Sequence, residues 1–459
     1  MPAIVTVNVS QVVASAPSQL QRTGAVISEG ATILGLGTNY FLGAESDLPP
    51  ILLPDDPLVG ATWGSFTVTI TTTRTIPYPN GTQIGVYVKG VVPTAYNTPY
   101  VIATVTSANT FTYPLADNPG VVTTEGVWNY YAVTELTAMV HTFFAQNNSF
   151  SAFAGGTVTN RGSQGVYVLE CGGAGVADAV ANLGVYLTNP NPAFYSYLVP
   201  YNWDQNSDFL TLTENFNNTT GLHYFYVSTY PTTDGTDGYA YYTGSKCIYC
   251  GVQTWNNLYD MLPDVPLTEF TLAATFYVTL NYAPSAVNLV SPLEWHYLYS
   301  VTAATFSPTE QNAIIAGNAN FVGTGASGGI SNKLIAGGNF MDGNPFNYWY
   351  AIDWVIINQS LALSAAVITG SNTPTNPLYY NQAGINSLQK VAQAVMNNGV
   401  TFGMILSPVT VTATPFTTYV QQHPGDYATG TYAGLAATFT PQRGFAAITI
   451  NLTATNIPA

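Results

Sequence analysis

A chain of 459 residues is long enough for several domains with sizeable cores, and 47% apolar residues argue against wholesale disorder. Charged residues reach only 7%, against roughly 25% in an ordinary soluble domain. Eight Lys+Arg stand against 23 Asp+Glu, for a net charge of −15, so there is no basic footprint for nucleic acid or anionic lipid.

The polar surface must instead be built from Thr, Asn, Ser, Gln and 32 Tyr, a composition suited to being covered by a partner. Residues 1–21 contain no Lys or Arg, so a secretory n-region is not visible. Cys171, Cys247 and Cys250 do not make a disulfide framework, and the chain is expected to be made in a reducing cytoplasm. The charge-free stretch 354–389 is rich in Asn, Gln, Ser, Thr, Gly and Pro and does not read as a bilayer span.

In chain order, AIVTVNVSQV (3–12) alternates, with Val5, Val7 and Val9 on one face. FAAITINLTAT (445–455) does the same with Ile448, Ile450 and Leu452. Both termini read as strands that either close their own sheet or add to a neighbouring subunit. Residues 61–128 read as all-β: SFTVTITTTRTI (65–76), a turn at Asn80-Gly81, then GVYVKGV (85–91), PYVIATVTS (99–107) and TFTYPLA (110–116). Short strands at this spacing predict a small barrel or sandwich inserted into another domain.

Strand and helix then alternate. A helix over 131–148 has Val133, Leu136, Val140, Phe143 and Phe144 on one side. Strands are expected at 165–170, 193–200, 222–229 and 246–252, with helices at 176–187 and 208–216, which predicts a layered α/β domain. Further on, Ser307-Pro308-Thr309-Glu310 is a capping-box signature. Residues 347–368 predict a long, mostly buried helix. Residues 381–399 predict another, capped by Asn381 and stopped by Gly399, with Ile385, Leu388, Val391, Ala392 and Val395 as its apolar stripe.

Candidate chemistry is sparse. Residues 323–328, GTGASG, match a dinucleotide-type spacing, but the following ISNKLIAGGN is a poor helix, and a pyrophosphate site needs a helix N-terminus. Cys247 and Cys250 have the spacing of half a zinc site without the other half, so buried thiols are expected. His141, His223, His296 and His423 are scattered, and the run 234–238 (DGTDG) reads as a turn rather than a calcium loop. Asp353, within YWYAIDW (348–354), must be paired or hydrogen-bonded if buried, and a structural ion pair with Arg22, Lys333 or Arg443 is expected. No catalytic constellation, cofactor or metal site emerges.

Several long segments carry a resemblance. IVTVNVSQVVASAPSQLQRTGAVISEGATIL (4–34), GVYVLECGGAG (165–175) and AFYSYLVPYNWD (193–204) resemble contractile bacteriophage tail sheath proteins. So do 321–359, 376–406 and 426–452, and the run 90–120 is similar to a small β-module of phage structural proteins. The resemblance implies an α+β multidomain fold with an α/β-type sheath core and terminal strand arms, a second α/β domain and a small all-β insert. The expected boundaries are 1–25 for the N-terminal arm, 26–60 with 129–264 for the middle domain, 61–128 for the insert and 265–459 for the core with its C-terminal arm. It also implies a non-enzymatic virion component, assembled in the host cytoplasm as stacked hexameric rings and a helical lattice of its own copies. Its partners would be the tail tube protein, the baseplate and the tail terminator, with no nucleic acid and no direct membrane insertion. Arms from neighbours would complete a sheet on the core of a third subunit. The rival readings are another virion structural protein or a glycan-binding adhesin.

Overall fold

The computed structural model describes residues 19–147, 150–151, 157–158, 165–217, 222–230, 238–255, 264–325, 332–375 and 377–445. The expected arm residues Val5, Val7, Val9, Ile448, Ile450 and Leu452 lie outside the described residues, as do 234–237 of the expected turn. The described chain forms two compact units, a larger one within 20–282 and 292–346 and a smaller one within 283–291 and 347–444. The fold is mixed α/β with several sheets.

The larger unit is built on strand β1 (Gly24–Ser28), which is buried along its whole length. A strand that is apolar on both faces belongs in a parallel sheet covered by helices on each side. Gly24 lies so close to the following layer that an added Cβ would stand 2.6 Å from Leu280 Cδ1. Strand β2 (Asn39–Leu42) follows, and then six strands close into a barrel. These are β3 (Asp56–Gly64), β4 (Thr67–Thr72), β5 (Gln83–Lys89), β6 (Thr98–Ser107), β7 (Thr110–Pro114) and β8 (Val127–Tyr130), in the order β3-β4-β7-β6-β5-β8. Alternate strand residues fill it: Val68 and Ile70 pack inside with Phe111 and Trp128, whose rings stand 5.0 Å apart. Gly81 takes the left-handed conformation (φ 89°) at the expected Asn-Gly turn.

Strand β8 runs directly into α1 (Tyr131–Ala145), which buries all five residues of its predicted stripe. A two-stranded ribbon, β9 (Phe150–Ser151) with β10 (Thr157–Val158), precedes the strand–helix alternation. This consists of β11 (Val166–Glu170), α2 (Val176–Thr188), β12 (Ser196–Leu198), α3 (Ser207–Glu214), β13 (Tyr224–Thr229) and β14 (Ile248–Val252). The sheet order is β14-β13-β12-β1-β11-β2, parallel except for β2. Ile27, Leu169, Phe225 and Val227 pack with Leu183 of α2 and Phe209 of α3 in one core. On the other face Tyr226 meets Phe276 (ring centroids 5.1 Å apart) of the fully buried helix α4 (Thr271–Leu280).

The remainder of this unit holds β15 (Tyr297–Leu298), α5 (Pro308–Ala316), β16 (Phe321–Thr324) and β17 (Lys333–Ala336), the strands forming an antiparallel sheet in the order β15-β17-β16. The capping box on α5 is formed: Glu310 N–H donates to Ser307 Oγ (3.3 Å) and Ser307 N–H to Glu310 Oε2 (2.7 Å). The G-x-G-x-x-G run begins on β16; its residues 326–328 lie outside the described residues, and the next described element is the antiparallel strand β17.

The smaller unit comprises α6 (Phe346–Asn372), α7 (Gln382–Thr401), β18 (Val411–Ala413), α8 (Phe416–Gln422), α9 (Pro424–Thr429) and β19 (Leu435–Ala437). Asn381 caps α7 as expected, accepting from Gly384 N–H (2.9 Å). Gly399 does not stop the helix. It is buried within it, where a Cβ would stand 3.1 Å from Ile405 Cδ1, and the left-handed residue that ends the turn is Gly403 (φ 72°).

Candidate assembly surface

Helix α6 is two helices in environment. Tyr350, Ala351, Asp353, Trp354, Val355 and Asn358 of its first half are buried. From Gln359 to Asn372 no residue is buried, although this half carries Leu361, Leu363, Val367 and Ile368. Ile368 is 63% exposed and Val367 47%. The expectation of a mostly buried helix is therefore corrected: an apolar period shows that a segment wants cover but not that its own chain supplies it. By length and composition α6 is also long and apolar enough to cross a membrane, which the count of polar residues in 354–389 had argued against. Asp353 and Asn358 are buried on the covered half.

Asp353 is 0% exposed. Of the cations considered for it, Arg443 shares its compact unit and holds its guanidinium 5.2 Å from the ring centroid of Tyr348 on the same helix.

Strands β18 and β19 pair antiparallel, Val411 opposite Ala437 and Ala413 opposite Leu435. The ladder continues through Thr414 N–H to Gly434 O (2.9 Å) on one side and Leu406 N–H to Thr440 O (2.9 Å) on the other. Two strands alone are a marginal sheet. The outward edge of β18 is closed by side chains of α7: Val411 N–H donates to Gln393 Oε1 (2.8 Å), and Gln389 Nε2 donates to Val411 O (2.8 Å). Gln393 Nε2 also donates to Val409 O (2.9 Å). Among the described residues β19 has no such cover on its outer edge. Sequence reading passed over these glutamines. Their signal was an i, i+4 Gln pair on a helix facing a Thr/Val-rich strand, too common to single out.

The remaining candidates are spread through the fold. Cys171, Cys247 and Cys250 are free and buried, and burial pushes the Cys247 thiol up to about 11. His141 meets Glu45 (2.8 Å) at the surface, and His223 contacts Phe194 O (3.0 Å). Among the described residues no three His, Cys, Asp or Glu side chains group as metal ligands.

No family model matches the chain, and no curated protein matches it. Among solved structures it is similar to the sheath tail protein Lin1278 from Listeria innocua, at 11% identity and a TM-score of 0.42, over 85% of this chain and 88% of that one. It is also similar to a chain of the anti-feeding prophage (AFP) baseplate in contracted state, at 10% identity and a TM-score of 0.47, over 99% and 98%. At such identities neither similarity assigns a role to a residue.

Proposed function

We propose that this chain is a structural, non-enzymatic subunit of a contractile phage tail sheath, built of many copies of itself in the virion tail. The observation that carries the reading is the uncovered apolar half of α6. An exposed apolar run containing Leu361, Val367 and Ile368 is the kind of surface that marks contact with another surface. A second copy of the chain is the covering surface that the sequence resemblance implies, in stacked hexameric rings around the tail tube, with baseplate and terminator at the ends.

The two-stranded sheet supports the same reading. The terminal strands carrying Val5, Val7 and Val9, and Ile448, Ile450 and Leu452, would add from neighbouring subunits, making main-chain ladders of about 0.5–1.5 kcal/mol net per bond. The glutamine cover on β18 directs that addition to β19. Contraction would then repack core against core while the ladders keep neighbours linked, driving the tube through the host envelope. With so few charges, these surfaces approach with little desolvation penalty.

The test is negative-stain electron microscopy of the purified full chain at high concentration, with and without its tail tube. Hollow tubes or stacked rings are expected. Compact trimeric spikes would point to an adhesin, and a protein that partitions into vesicles through α6 would assign the exposed half to lipid; either result sinks the sheath reading.

A further inference from the structure

Strand β8 pairs with β5 in the barrel and runs directly into α1, which brings β5 beside the helix. A cleft of about 700 Å³ opens between them, within the range of small-molecule sites. Lys89 and Pro99 line it on the barrel side, Thr134 and His141 on α1, with Glu45 and Leu267 completing the wall.

Basic side chains are scarce in this chain, eight Lys+Arg and four His in 459 residues, yet two of them meet at this cleft, each on a carboxylate. His141 Nδ1 stands 2.8 Å from Glu45 Oε1, and Lys89 Nζ stands 2.7 Å from Asp55 Oδ2. His141 and Glu45 are 48% and 50% exposed, and pairs as exposed as this add little to stability. Tyr87 holds the second pair in place: its hydroxyl donates to Asp55 Oδ1, and its ring centroid lies 5.0 Å from Lys89 Nζ.

The bonding capacity of these groups is not used up. A carboxylate accepts, so His141 donates from Nδ1 and keeps Nε2 to accept, or to donate when the ring is protonated. Glu45 has a second oxygen and Lys89 has further N–H donors. This set selects among ligands. An anion would find one Lys, already neutralised by Asp55. A hydrocarbon would strip water from acids and hydroxyls and give nothing back. Among the described residues no three His, Cys, Asp or Glu side chains group as metal ligands. A sugar hydroxyl both donates and accepts, so it bonds a base and its acid at once. Pro99 and Leu267 offer apolar surface to the C–H faces of a sugar ring.

We infer that this cleft binds a neutral saccharide, its hydroxyls shared between the His141–Glu45 and Lys89–Asp55 pairs with the Thr134 hydroxyl between strand and helix. Bonds to charged partners are the strong ones, and here the two signs balance, so the site favours an uncharged polyol. The inference is independent of the sheath reading, since every residue of the cleft lies in one compact unit of one chain.

The test is saturation-transfer NMR with isothermal titration calorimetry on the full chain. Chitotriose, maltotriose and mannotriose serve as neutral probes, trigalacturonic acid as an acidic one and anilinonaphthalene sulfonate as an apolar one. At least one neutral trisaccharide is expected to bind. Glu45→Ala and Lys89→Met should each weaken it about tenfold, the loss of one bond to a charged group. Circular dichroism reports whether each variant is folded, and Thr134→Val, expected to weaken binding about threefold, stands in for one that is not. The inference is overturned if none of the three neutral sugars binds, if the folded variants bind as the wild type does, or if the acidic or apolar probe binds more tightly than every neutral one.

Discussion

Val411 donates its backbone N–H to the side-chain oxygen of Gln393, 2.8 Å away and eighteen residues earlier in the chain. A helix side chain thus does for β18 what a third strand would do. Open edges invite pairing with other chains, and this one is blocked. Gln393→Leu removes the acceptor for Val411 and the donor for Val409 together. We expect a loss of about 1–2 kcal/mol in urea denaturation and faster hydrogen–deuterium exchange in the peptide spanning β18. Exchange unchanged from wild type would show that the edge is protected by something else.

Assembly should depend on the exposed half of α6 and not on its buried half. Leu361→Lys and Ile368→Lys place charge on the uncovered surface and should abolish tubes while changing monomer stability by no more than about 0.5 kcal/mol. Deleting residues 1–12, or placing Pro at Val7 or Ile450, should do the same by removing ladder donors or distorting the arm. Sedimentation and circular dichroism together read the two effects. Tubes that persist in all of these variants would remove the basis for the assembly reading.

Removal of the wholly buried Asp353 side chain is expected to lower stability strongly. Asp353→Ala should cost about 3–5 kcal/mol, and a double-mutant cycle of Asp353→Asn with Arg443→Gln should give a coupling above about 1 kcal/mol if that arginine is the partner. Thermal denaturation of the four proteins measures it; a coupling near zero assigns the pair elsewhere.

The buried acids of the larger unit make stability fall with rising pH. Burial pushes the Glu135 carboxyl up from 4.5 to about 8, and that of Asp204 from 3.8 to about 6. In both, the folded state holds its proton to higher pH than the unfolded state does. The unfolded chain therefore binds fewer protons across this range, and stability declines from about pH 4 to pH 8. Glu135→Gln should flatten the upper part of that decline, between about pH 6 and pH 8, in a pH series of melting temperatures. A melting temperature that rises from pH 5 to pH 8 would contradict the assignment.

Four of the six barrel strands (β4 to β7), the α1 stripe, the Ser307–Glu310 box and the Asn381 cap were readable because each is a pattern among residues a few positions apart, whereas β3 and β8 were not singled out. The turn at Gly399 was misread because a glycine near a helix end has two uses, a left-handed stop or a close approach. Only the position of Ile405 shows that this one is the second. The extent of cover on α6 was misread for a related reason. Leu361 and Trp354 belong to the same apolar run, yet one is 40% exposed and the other 3%.

The sequence by itself determined the alternating strands, the helical stripes, the near absence of positive charge and hence the kind of surface this protein presents. Tertiary structure alone decided that Glu29, Glu135 and Asp204 share one cavity wall, that Gln393 reaches Val411, and that α6 is covered along half its length. Local pattern is set by neighbours along the chain, through φ/ψ preference and side-chain period. Burial and convergence are set by residues 18 to more than 170 positions away, as the bonds from Gln393 to Val411 and from Glu29 to Asn202 show, and no short window of sequence contains them.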